Sequence, residues 1–257
     1  MDTNSNQARR VVIGITAHVD AGKTTLAEAM LYRTGQLRKL GRVDHGSAAM
    51  DSHLLERARG ITIFLSQADL PIGNLEVTLL DTPGHVDFSA EMERTLSVLD
   101  YAILVISGAD GVQAHTRTLW RMLELYRIPT FLFVTKMDFG RCDRGQMMEH
   151  LRHELGEGCV DFTPADRERR MEQLATCRED ALEAYLDGGE VPDALVRQLV
   201  GRRLVFPCWF GSGLTLAGID EFLAGPARHA DPPPSPAPFS ARPLTLTHYP
   251  PSTRPPP

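Results

Sequence analysis

The chain has 257 residues, 42% of them hydrophobic, with four cysteines and a formal net charge of −6. That length and apolar share allow one large domain or two small ones around a sizeable core, whereas the negative balance argues against a general binder of nucleic acid, which is normally basic. No run of eighteen apolar residues occurs and the opening "MDTNSNQARR" has no apolar segment behind its charges, so neither a membrane span nor a signal peptide is expected and the protein is placed in the cytoplasm.

From Val11 onward, short β-branched runs alternate with helical patterns. "VVIGIT" (11–16) reads as a strand, a helix is expected over 24–34 up to Gly35, and "ITIFLSQADL" (61–70) and "LEVTLLDT" (75–82) follow as strands. The series continues with a helix over 88–99, the strand "YAILVIS" (101–107), a helix over 116–127 and the strand "TFLFVT" (130–135). Strands alternating with helices of this length imply crossover connections, hence an α/β fold with a mostly parallel sheet flanked by helices. Residues 140–203 turn charged and helical, centred on "RRMEQLATCREDALEAYL", and read as an insertion in one sheet rather than a second core. The apolar "RLVFPCWF" (203–210) then returns as a strand, ahead of "GSG" and a short helix over 219–223.

One domain is expected over 1–231. Beyond it, eleven of the 26 residues in 232–257 are proline, too many missing N–H donors and too little apolar surface to fold, so a disordered, partly polyproline tail is expected. Cys142, Cys159, Cys177 and Cys208 form no CxxC pair and read as reduced structural thiols.

The chemistry concentrates in three places. "AHVDAGKTT" (17–25) fits GxxxxGK[ST] with Ala17 in place of the first glycine: such a loop surrounds a polyphosphate with backbone N–H groups, its lysine reaches the β and γ phosphates and its hydroxyl binds Mg²⁺. Gly22 allows close approach, Lys23 supplies charge, and Thr24 stands at a helix N-terminus, where dipole and free N–H groups favour an anion. At the end of the strand "LEVTLLDT" lies "DTPGHVDF": Asp81 is suited to hold Mg²⁺, Gly84 leaves a backbone N–H free for a γ phosphate, and His85 is placed to orient water. The strand "TFLFVT" runs into "TKMD", where the acceptor-only carboxylate of Asp138 suits the ring N–H and exocyclic amine of guanine. Adenine would leave that carboxylate without its donors, a loss of about 1–3 kcal/mol. The stem of Lys136 can lie over the base, and "GSG" (211–213) can donate to its carbonyl.

The ordered set "AHVDAGKTT", "RGITI", "DTPGHVDF", "TKMD" and "GSG" resembles the guanine-nucleotide motifs of translational GTPases. "LGRVDHG", "LLERARGITI", "SVLD" and "ADGVQAHT" resemble in particular the tetracycline-resistance ribosomal protection proteins, relatives of elongation factor G, over about residues 10–224. The resemblance implies a P-loop G domain that hydrolyses GTP to GDP with Mg²⁺, slowly unless a ribosome docks. It places the nucleotide among His18, Val19, Asp20, Ala21, Gly22, Lys23, Thr24, Thr25, Thr62, Asp81, Gly84, Thr135, Lys136, Asp138, Ser212, Gly213 and Leu214. It assigns the metal to Thr24, Thr62 and Asp81, and the hydrolytic water to His85. It also implies a monomer with no membrane or free nucleic-acid partner.

Three departures stand out. Thr135 replaces the family's usual asparagine and is expected to weaken guanine binding, since one hydroxyl cannot donate and accept in the same fork as an amide. Gly213 replaces the usual alanine and is expected to loosen its loop. The family's β-barrel and later domains give way to prolines, from which a truncated or frame-disrupted member is expected. A translocation GTPase fragment and a nucleotide-binding remnant without turnover remain alternatives, while an ATP-using kinase is opposed by Asp138.

Other candidates read as structural. His150 and His153 lack the HExxH order, and His45 and His53 are assigned no role. Arg167, Arg169 and Arg170 alternate with Glu168 and Glu172 at spacings that support ion pairs on an exposed helix. Trp120 and Phe131 fall on periodic apolar faces and belong to the core.

Overall fold

The computed structural model describes residues 9–38, 66–82, 89–139, 142–163 and 167–231. In chain order these form β1 (Arg9–Ala17), α1 (Lys23–Arg33), β2 (Ser66–Ile72), β3 (Leu75–Asp81), α2 (Ser89–Leu96), β4 (Tyr101–Ser107), α3 (Ala114–Leu125) and β5 (Thr130–Thr135). A 3-10 turn (Met137–Phe139) leads to α4 (Arg144–Leu155), β6 (Cys159–Asp161), α5 (Arg167–Cys177), α6 (Glu179–Gly188), α7 (Asp193–Gly201), β7 (Phe206–Phe210) and α8 (Ile219–His229). The strands make one sheet in the order β2-β3-β1-β4-β5-β7-β6. Only the pairing of β2 with β3 is antiparallel; β1, β3, β4, β5, β7 and β6 run parallel.

The parallel strands are apolar on both faces because helices cover both sides. Every residue of β4 and of β5 is buried. Side chains alternate between two cores with the period of two that a pleated strand imposes. Phe131 and Phe133 point to a core shared with Ile13, Ile15, Leu26, Met30, Trp209 and Phe222, whereas Leu132 and Val134 join Leu104, Leu119, Trp120, Leu123 and Leu151 on the other face.

The charged stretch after Gly140 does not build a core of its own. Leu174, Ala181, Val196 and Leu199, from α5, α6 and α7, enter the same cluster as Ile13 and Phe131. Two features of the second half of the chain differ from the sequence expectation. β6 is a strand within the helical stretch, pairing Cys159 with Phe206 at the sheet edge; three residues are too few to show a period of two. The last helix runs to His229 rather than stopping near Leu223, and carries Gly225 and Pro226 inside it. Gly225 lies against Trp209 so closely that a Cβ there would stand 2.2 Å from the indole, so the residue that reads as a helix breaker is the one that lets α8 pack. Of the expected strand 61–70, residues 61–65 lie outside the described residues, as does the 232–257 tail. The four cysteines are free thiols, and among the described residues no helix is long and apolar enough to cross a membrane.

His229 closes α8 in this core. Its ring is 6% exposed, meets the Phe162 ring edge-on at 5.2 Å, and its Nδ1 has no hydrogen-bond partner among the described residues. Burial lowers its pKa from 6.5 to about 4, with Asp193 opposing the shift and the positive charges of Arg228, Arg170 and Arg197 adding to it. An imidazole depressed in the folded state binds its proton more readily when unfolded, so stability is full above about pH 6.5 and is lost as pH falls toward 4. The shift corresponds to about 3 kcal/mol. Between pH 7 and pH 4, chemical denaturation of the parent and of His229→Leu is expected to diverge by up to that amount, to the parent's disadvantage; parallel pH profiles would refute the burial of a neutral ring.

Candidate functional site

Parallel strands that end together leave a crevice beyond their carboxyl ends, the usual place for a ligand in such sheets. β1 ends at Ala17, β3 at Asp81, β4 at Ser107, β5 at Thr135 and β7 at Phe210, so the segments singled out in the sequence emerge side by side.

The loop after β1 turns through positive φ at Asp20 (60°) and Gly22 (92°). Only glycine adopts the second of these without strain. A backbone bond from Ala21 N–H to the His18 carbonyl at 3.1 Å pins the loop, and two left-handed residues so near each other turn successive N–H groups toward one side. Gly22 is the N-cap of α1 and no side chain caps that helix. The first-turn N–H groups of an α-helix have no partner within the helix, so those of Lys23, Thr24 and Thr25 are presented to the crevice with the positive end of the dipole. Val19 and His18 are half-buried beside them, His18 facing the ring of His115 at 5.9 Å.

Asp81 sits across from Ile15 in the parallel register of β1 and β3. The corner after it is fixed by Thr82, whose N–H and hydroxyl both donate to the Ile15 carbonyl, at 3.1 and 2.8 Å. The Lys23 ammonium donates to Oδ1 of Asp81, and the two side chains are 9% and 0% exposed. A lysine at the mouth of an uncapped helix, beside a hydroxyl (Thr24) and a carboxylate (Asp81), offers a cation for a polyphosphate and hard oxygen donors for Mg²⁺. The residues present fit both groups. Among the described residues no cluster of three His, Cys, Asp or Glu side chains forms a separate metal site.

The base-side segments are tied to this loop. The Thr135 hydroxyl donates to the Ala21 carbonyl at 2.5 Å, with the Ile106 carbonyl further off at 3.2 Å; it is 3% exposed. Its hydroxyl is thus engaged with the phosphate loop. Met137 N–H donates to the Gly211 carbonyl at 3.2 Å, joining "TKMD" to "GSG". Lys136 adopts φ 60° and stands 3.9 Å from Asp110, and Asp138 is exposed. Ser212 is buried, donating its N–H to the Ala217 carbonyl at 2.9 Å and accepting from Thr215 N–H at 3.3 Å, while Leu214 is 53% exposed. A Cβ at position 213 would stand 3.0 Å from the Thr25 carbonyl oxygen. Gly213 therefore brings its loop close against the start of α1, a tighter arrangement than the looseness expected of it.

Thr62, Gly84 and His85 lie outside the described residues. Two positioning groups escaped the sequence reading. Thr82 locks the Asp81 corner, as above, and Gly108 N–H donates to the Thr135 carbonyl at 2.8 Å. Thr82 lies within "DTPG" and so had a signal; Gly108 had none, because its partner is 27 positions away.

The family model for the elongation factor Tu GTP binding domain matches residues 8–232. The oxytetracycline resistance protein of Streptomyces rimosus is 41% identical over 239 residues, covering 83% of this chain and 36% of its own. The tetracycline resistance protein TetM from transposon Tn916 of Enterococcus faecalis is 38% identical over 229 residues, covering 82% and 35%. The chain thus spans about a third of the length of these relatives. A crystal structure of a Thermus thermophilus protein superimposes with a TM-score of 0.78 at 28% identity, over 88% of this chain and 41% of the other. Because the family match runs through every described element, the chain belongs to the elongation factor Tu GTP binding domain family.

Proposed function

We propose that this chain binds GTP with Mg²⁺ and hydrolyses it to GDP and phosphate. The observation that carries the reading is the interlocking of three segments beyond the carboxyl ends of the strands: Thr135 holds the Ala21 carbonyl, Met137 holds Gly211, and Gly213 lies against Thr25. A phosphate loop bound this tightly to the segment that carries an exposed Asp138 suits a ligand with a polyphosphate at one end and a guanine at the other.

In this reading Lys23 and the N–H groups at the start of α1 stabilise negative charge on the transferring phosphoryl group. Asp138 accepts from the guanine ring N–H and amine, Lys136 lies over the base, and backbone donors of residues 212–214 meet its carbonyl. Thr24, Thr62 and Asp81 would hold Mg²⁺, which supplies charge neutralisation at the β and γ oxygens. Gly84 senses the γ phosphate and His85 orients the attacking water. Turnover without an activator is expected on the order of 10⁻⁴ to 10⁻² per second, as for other isolated GTPases. A ribosome is the proposed activator, because the family that matches is that of a translation elongation factor.

Titration of the purified chain with fluorescent GDP and with ATP, at millimolar Mg²⁺, tests the reading. Guanine-selective binding is expected; equal or preferred ATP binding would overturn it. Phosphate release with and without ribosomes then separates a stimulated GTPase from a binding remnant.

Two variants follow from the geometry. Lys23→Ala removes a charge-assisted contact worth about 1.5–3 kcal/mol, so GDP and GTP binding is expected to weaken by about 10- to 100-fold; retained affinity would show that the lysine is committed to Asp81 alone. Thr135→Val keeps the shape and deletes the hydroxyl, leaving the Ala21 carbonyl short of a donor at about 1 kcal/mol. Because the contact is to the phosphate loop, GDP affinity is expected to fall by about fivefold with the guanine-to-adenine ratio unchanged. A lost ratio with unchanged loop stability would place the hydroxyl on the base.

A further inference from the structure

The loop that follows β4, residues 107–113, supplies none of the nucleotide contacts above, yet it is braced from three sides. Within it, Asp110 N–H and Gly111 N–H donate to the Ser107 carbonyl at 3.2 and 2.8 Å, and Gln113 Nε2 donates to the Asp110 carbonyl at 2.5 Å. From α4, Nε2 of His150 accepts from Val112 N–H at 3.2 Å. Gly111, at φ 66°, makes room for that ring: a Cβ there would stand 3.1 Å from the same nitrogen. From β5, the Thr135 carbonyl accepts from Gly108 N–H at 2.8 Å. His150 thus brackets this loop, a contact that its spacing on α4 did not announce.

What the bracing holds in place is a carboxylate. Ser107 donates its hydroxyl to Oδ2 of Asp110 at 2.6 Å, and the same oxygen stands 3.9 Å from the ammonium of Lys136. The hydroxyl removes rotamer freedom from the carboxylate in advance, and that freedom is the cost that commonly cancels an exposed ion pair. Lys136 is constrained at its other end. Its backbone sits at φ 60°, directly after the Thr135 carbonyl that ties the two loops together. Both side chains are partly open to water, 30% exposed for Lys136 and 54% for Asp110, so their attraction is modest and is screened by salt.

We infer that Asp110 is a positioning residue for the nucleotide: it anchors the ammonium of Lys136 and so holds the stem of that lysine flat over the base. The inference rests on the guanine-nucleotide reading, in which Lys136 lies over the base. A lysine stem is flexible and loses entropy when it is laid against a ring. A stem already tethered at its head has given up much of that freedom before the ligand arrives, and preorganisation of this kind raises affinity. The stem meets the face of the base, whereas Asp138 meets its edge. Asp110 therefore sets how tightly the nucleotide is held and leaves the choice of base to Asp138.

The test is a double-mutant cycle in GDP affinity, on the whole chain at millimolar Mg²⁺ and low salt. Asp110→Asn keeps an oxygen for the Ser107 hydroxyl and removes the charge; it is expected to weaken GDP binding by about two- to fivefold, the range of an exposed ion pair. Inosine diphosphate, which lacks the exocyclic amine, is expected to lose the same factor. Lys136→Met keeps most of the stem and removes the ammonium. In that background Asp110→Asn is expected to leave affinity unchanged, because the two residues act through one contact. Salt at about 0.5 M is expected to erase the difference between the parent and Asp110→Asn. A loop that matters only for its shape would lose affinity equally in both backgrounds and at both salts, and that result overturns the inference. So does GDP affinity indifferent to Asp110→Asn, or a loss confined to GDP. A parent that binds no guanine nucleotide overturns the nucleotide reading itself, and is recognised before any variant is compared. Should Asp110→Asn lose the parent's cooperative thermal transition, Asp110→Glu takes its place: affinity like the parent's is expected, and a loss equal in the parent and Lys136→Met backgrounds overturns the inference.

Discussion

The contact on which the site depends is the one between Lys23 and Asp81, two charges withdrawn from water where β1 and β3 end. Burying an ion pair costs several kcal/mol of solvation per ion, and the mutual attraction recovers it only when the geometry is held. Here the holding is done by secondary structure on both sides: Asp81 is fixed by its register with Ile15 and by the Thr82 corner, and Lys23 by its place in the first turn of α1. A pair of this kind adds little to stability alone, since apolar residues of similar size serve a core as well. On the proposed reading, the pair keeps the site charged for a ligand of higher charge.

The second constraint is backbone approach. The crevice floor is made by loops from three strands that touch through main-chain atoms and one hydroxyl, so its shape is set by where β1, β5 and β7 stop. Those stops in turn follow from burial: β4 and β5 are apolar throughout, and the chain can carry polar chemistry only where it leaves the sheet. Fold and site are coupled in that direction, with core strands of fixed length delivering Ala21, Thr135 and Gly211 to within hydrogen-bonding distance of one another's segments.

This explains what was legible in the sequence. "YAILVIS" and "TFLFVT" begin and end in the structure where their apolar runs begin and end, because strands covered on both faces tolerate no polar interruption. The phosphate loop was legible because its glycine and lysine are demanded locally. What was not legible is non-local or too short: β6 has three residues, α8 hides its second half behind Gly225 and Pro226, Arg167 finds Glu190 rather than a neighbour on its own helix, and the partner of Thr135 lies 114 positions away. Charge spacing on a helix names possible pairs but cannot weigh them against partners that tertiary structure brings in, and at α5 the tertiary partners won.

Thr135 shows why a departure from a family pattern has to be placed before it is interpreted. A hydroxyl carries one proton, and two carbonyls lie within its reach, that of Ala21 at 2.5 Å and that of Ile106 at 3.2 Å; it serves the nearer and leaves the other. An amide at the same position has two protons and an acceptor, and can hold both carbonyls at once. A threonine here thus offers one proton to the phosphate loop and β4 together, while the carboxylate of Asp138 stands three residues on. On the proposed reading, recognition of guanine would rest with Asp138 and the hold on the phosphate loop with Thr135, and the substitution falls on the second.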